Sequence, residues 1–116
     1  MENYRARNRE KYGLLYEAFF AVGALESHEA IECFLFDLCT VQELDMMLQR
    51  LQIAKCFYDG VITYKNIEEE VKASSATISR VKQSYNYGEG GYKAAFDNMT
   101  LLSDENESEN DKKQSE

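Results

Sequence analysis

Between Ser74 and Val81 the chain reads SSATISRV, with small hydroxyl and methyl side chains around one arginine and two apolar residues a helical turn apart. On a helix, Ile78, Val81 and Tyr85 share one face and Ser75, Ala76, Thr77, Ser79, Arg80, Lys82 and Gln83 lie outside it. Short hydroxyl and methyl groups allow a helix backbone to come close to base edges in the major groove of DNA. Ser75, Ala76, Thr77 and Ser79 have the size and chemistry for that contact. Lys65, Lys82 and the basic N-terminal segment suit phosphate contacts, which position a protein without reading sequence. A plainer alternative stands beside this one: serine, threonine and alanine at a helix start also serve as caps and need no ligand.

Two elements must position such a face. Counting from Tyr64 as one, Ile67 falls at four, Val71 at eight, Ala73 at ten, Ile78 at fifteen and Val81 at eighteen. Those offsets are the packing skeleton of a helix-turn-helix over about residues 63–85, in which two short helices touch through a few inward apolar residues. Thr63 and Ser74 are the expected caps. Upstream, Glu10 to Leu25 predicts a helix, Ser27 caps a second, and Thr40 to Glu43 is a capping box that opens a third ending at Gly60. The glycines of YGEGGY, residues 87–92, then separate a last helix carrying Ala94, Ala95, Phe96 and Met99. The expected class is all-α. The first two helices are apolar on too many faces for one short domain to cover, so a second copy of the chain is the expected partner.

The 116 residues suffice for one domain, expected over 1–102, and carry a net charge of -8. Distribution matters more than the total. Residues 103–116 hold six acids against Lys112 and Lys113 and no apolar residue, a composition expected to be disordered. Residues 72–93 hold four bases against Glu89, and residues 1–13 four bases against two acids, so positive charge gathers where a polyanion would meet the chain. No basic leader precedes an apolar stretch, and no apolar run approaches the ~20 residues that span a bilayer, so the cytoplasm is the expected location. His28, Cys33, Cys39 and Cys56 form no Cys-x-x-Cys pair and fall on different helical faces, which argues against a metal and for buried thiols. No serine or cysteine has a histidine placed to activate it, and Glu68 to Glu70 read as a solvated helix face, so an enzyme is not expected.

The segments LCTVQELDMMLQRLQIAKCFYDG, ITYKNI, ASSATISRV and YNYGEGGY, in this order, resemble the Trp-repressor-like family, more closely its YerC/YecD-type branch. The resemblance runs from about Ser27 to Met99. It implies an all-helical, intertwined homodimer whose two helix-turn-helix units read successive major grooves of a palindromic operator. It also places DNA contacts at Tyr64 and Lys65 and at Ser75, Ala76, Thr77 and Ser79. In the amino-acid-responsive members a corepressor sits at positions matching Thr40, Arg50, Arg80 and Ser84, a set able to hold a carboxylate and an ammonium group. Val81 stands where those members have a glycine that makes room for an indole ring, so tryptophan is not the expected ligand, and an ion pair or phosphate contact is the preferred role for Arg50 and Arg80. Lys72 occupies the turn position at which the motif ordinarily has a positive-φ glycine. Two functions are weighed: a dimeric, sequence-specific DNA-binding regulator, and a helical interaction module that keeps the two-helix corner for packing alone.

Overall fold

The computed structural model describes the backbone of residues 2–61 and 63–114 and the side chains of residues 8–61 and 63–105. Six helices and no strand occupy the described residues: α1 (Glu2–Gly23), α2 (His28–Leu38), α3 (Val41–Tyr58), α4 (Tyr64–Val71), α5 (Ser75–Tyr87) and α6 (Gly91–Gln114). No helix among them is long and apolar enough to cross a membrane.

Hydroxyl caps set several of these boundaries. The Ser27 side chain accepts from the Ala30 amide at 3.1 Å and so satisfies one of the donors that the start of α2 leaves open. Before α3 the box closes in both directions: the Glu43 amide donates to Thr40 Oγ1 at 3.1 Å and the Thr40 amide to Glu43 Oε1 at 3.0 Å. These hydrogen bonds to its charged form hold the Glu43 carboxyl below the usual glutamate range. Gly60, at φ 90°, lets the chain turn after α3 in a conformation that an L-residue resists. Thr63 departs from expectation, for it precedes α4 without any side-chain capping bond.

The chain divides into two compact units, residues 1–44 and 45–116. In the first, α1 and α2 meet through Phe19 and Phe34, whose rings stand edge to face at 5.2 Å. That unit hides little else. Val22 is its one buried apolar residue among those described, whereas Leu14 and Phe20 are each 82% exposed and Phe36 67%. In the second unit Ile53, Ala54 and Cys56 of α3 pack with Ile67 of α4, Ala73 of the link, Ile78 and Val81 of α5 and Phe96 of α6. Val71, Tyr64, Tyr85 and Tyr92 close over this cluster from its margin.

Two further departures concern the ends and the thiols. The acidic segment expected to be disordered is helical as far as Gln114, a continuation of α6 that no glycine or proline beyond Gly91 interrupts. Of the three thiols expected to be buried, Cys56 is, Cys39 is partly covered and Cys33 is exposed on α2. Cys56 Sγ donates to Glu70 Oε2 at 3.3 Å, and burial together with that carboxylate pushes the thiol up to about 11.

The turn between α4 and α5 is left-handed. Lys72 sits at φ 57°, ψ 46°, and its amide donates to Glu68 O at 2.9 Å, so the conformation suited to glycine is kept with a lysine in it. The strain has a readable consequence. Lys72→Gly is expected to raise the unfolding free energy by up to about 1 kcal/mol, because an L-residue in this region costs roughly 1–2 kcal/mol and the extra freedom of an unfolded glycine offsets only part of that. Urea unfolding of the two proteins measures the difference, and a β-branched Lys72→Val should move it the other way.

Candidate nucleic-acid interface

The outward face of α5 is made by what its inward face must bury. Ile78 and Val81 are taken up by the core and Tyr85 packs against its margin, which leaves Ser75, Ala76, Ser79, Arg80, Lys82 and Gln83 exposed and Thr77 half-buried. On α4 the same division buries Ile67 and exposes Lys65, while Tyr64 is half-buried. The residues expected to meet a groove therefore lie at the start of α5, on the side away from the core, with the lysines of two helices in the same unit.

Ser74 is the cap that the sequence foretells, and the start of α5 is pinned by one contact more. Ser74 caps α5 by accepting from the Thr77 amide at 3.2 Å, and its Oγ also lies 2.9 Å from Thr77 Oγ1. The threonine hydroxyl is thereby held in one place instead of rotating freely. The serine-to-threonine spacing of three is the signal that could have pointed to it. A second interaction joins the helices: Lys82 Nζ lies 5.6 Å from the centre of the Tyr64 ring. Nothing in a linear pattern marks that pair.

The four positions considered for an effector are distributed as follows. Thr40 belongs to the first unit and spends its hydroxyl on the capping box of α3. Arg50 is exposed on α3, and Arg80 and Ser84, one turn apart on α5, are exposed as well. Val81, beside Arg80, is 3% exposed and belongs to the apolar cluster, so its branched side chain fills the room that a glycine would leave.

A cavity of about 450 Å³ opens where α5 gives way to α6, between Ser84, Tyr85, the 88–90 loop and Gly91, Tyr92 and Lys93 of α6. Its loop is shaped by two glycines. A side chain at Gly88 would collide with the Ser84 carbonyl, and Gly90 has φ 80°. Lys93 Nζ lies 5.0 Å over the Tyr85 ring at its wall.

Known proteins share this arrangement. The family model for Trp repressor protein matches residues 15–100. A Bacillus subtilis (strain 168) protein named uncharacterized protein YerC is 47% identical over 70 residues, covering 59% of this chain and 66% of that protein, just under two thirds of its length. A crystal structure described as that of a candidate Trp repressor from Staphylococcus aureus superposes with a TM-score of 0.68 at 45% identity, covering 79% of this chain and 93% of the other. That of a TrpR like protein from Eubacterium eligens ATCC 27750 superposes with 0.69 at 35% identity, covering 81% and 96%. The matched span takes in α2 to α5 whole, and the chain belongs to the Trp repressor family.

Proposed function

We propose that the chain is a sequence-specific DNA-binding transcriptional regulator that acts as a homodimer in the cytoplasm, with α4 and α5 as a helix-turn-helix and α5 as the reading helix. The observation that carries this is the sorting of α5: Ile78 and Val81 are spent on the core, and its exposed N-terminal residues are those whose small size lets a backbone enter a groove. Ser75, Ala76, Thr77 and Ser79 read base edges. Lys65 and Lys82 serve the phosphate backbone, and Tyr64 lies beneath Lys82. Membership of a repressor family supports the reading. The exposed Leu14, Phe20, Leu25 and Phe36 supply the apolar area that a second copy would cover, and a dimer would present two reading helices to two half-sites. No cofactor or catalytic step is part of the proposal. Tryptophan is not the proposed effector, because the Val81 side chain fills the room that a glycine would leave.

The experiment is selection of bound duplexes from random DNA, followed by a shift assay on the selected sequence and a scrambled one. A Thr77→Ala/Ser79→Ala variant is expected to remain a folded dimer, to bind the scrambled duplex as the wild type does, and to lose about 1–3 kcal/mol of preference for each base it ceases to read. Full preference in the variant would take base reading away from Thr77 and Ser79, and a wild type without salt-dependent DNA binding would favour the interaction-module reading.

A further inference from the structure

We infer that Tyr64 is a positioning residue: its ring holds the Lys82 ammonium ready for a DNA phosphate, so that Tyr64 acts on binding through Lys82. The inference rests on the DNA-binding reading and assigns a role within it. Lys82 is exposed on α5, and its Nζ lies 5.6 Å from the centre of a ring that belongs to the other helix of the pair. Within about 6 Å of a ring face an ammonium is attracted by the negative charge of that face. The ring itself is fixed, because Tyr64 opens α4 and packs against the core cluster.

A lysine stem is long and flexible and loses rotamer freedom when it docks. One whose head is already parked loses less on binding. Parking on a ring also leaves donors for an anion, since an ammonium carries three N–H groups and the ring covers one side of it. Tyr64 thus prepares a phosphate interaction from beneath, and its hydroxyl is not needed for the purpose.

The salt dependence of binding to the selected duplex separates this role from a merely structural one. The proteins compared are the wild type, Tyr64→Phe, Tyr64→Leu, Lys82→Ala and Tyr64→Leu/Lys82→Ala. Tyr64→Phe should keep the wild-type slope of log affinity against log salt. Lys82→Ala should reduce it by about 0.9 for every phosphate that Lys82 ceases to neutralise, Tyr64→Leu should bind more weakly than the wild type at every salt concentration, and the double variant should bind no more weakly than Lys82→Ala. Wild-type affinity in Tyr64→Leu, or a double variant weaker than Lys82→Ala, overturns the inference. A wild type without salt-dependent binding overturns the DNA-binding reading and this one with it, whereas a binding wild type beside an unchanged Tyr64→Leu overturns this one alone. Should Tyr64→Leu fail to fold, the unsubstituted protein still decides the matter by NMR: ring current should move the Lys82 ε-methylene protons upfield, and ordinary lysine positions for them would overturn the inference.

Discussion

Replacing Ile78 with alanine is expected to lower the unfolding free energy by about 2–5 kcal/mol and to remove DNA binding at temperatures where the wild type still binds. Ile78 is fully buried, and with Ile67, Ala73 and Val81 it makes the apolar joint between the two short helices. Truncation removes the transfer free energy of the deleted carbons and leaves a void that two helices fixed by the same cluster cannot collapse to fill. A domain of this size has about 5–15 kcal/mol in total, so the change consumes a large share of it. Urea unfolding with an unchanged slope would assign the loss to stability and not to a changed denatured state. The informative contrast is Ser79→Ala, one residue along the same helix and exposed, which should leave stability within about 0.5 kcal/mol while weakening sequence preference. A cost below about 1 kcal/mol for Ile78→Ala would mean that the joint is not what holds the reading helix.

The second large effect is expected at the other end of the chain. In the proposed homodimer Phe20 is covered, and Phe20→Glu should convert that dimer into a monomer at micromolar concentration, weakening association by more than about a hundredfold. Phe20 is 82% exposed in the single chain, and with Leu14, Leu25 and Phe36 it leaves the first unit with four large apolar side chains uncovered. A glutamate there would have to enter the covered interface either charged and unpaired or neutralised, and both are costly. In a monomer the same change is harmless, because an exposed glutamate on a helix is ordinary. Sedimentation of the two proteins over a concentration series reads the result. DNA binding should fall with dimerisation, since the protein then engages one half-site instead of two.

The sequence made much of this legible wherever the determining interaction is local. Ser27, Thr40 with Glu43, and Ser74 act over three residues, and each forms the cap that its spacing foretells. Ile67, Ala73, Ile78 and Val81 were legible as inward residues because helical periodicity sorts faces before any tertiary neighbour is known. Thr63 shows the limit: the residue type suits a cap, yet its hydroxyl makes no capping bond. What could not be read depends on tertiary proximity. Tyr58 Oη donates to Asp97 across 39 positions, Cys56 donates to Glu70 across 14, and Lys82 rests on Tyr64 from a separate helix. The left-handed turn lay between these cases. A lysine gives no signal for positive φ, and the burial of Ala73 and Ile78 on either side of the cap at Ser74 holds Lys72 there in spite of its own preference.

In the proposed regulator the exposed start of α5 distinguishes one DNA sequence from another. The most direct measurement is the affinity of the full chain for the selected duplex relative to a scrambled duplex of equal length, at one stated salt concentration. A ratio of about 10³ or more, brought down by Thr77→Ala/Ser79→Ala without loss of the dimer, is the predicted result. Equal affinity for the two duplexes, or no binding to either, would contradict it.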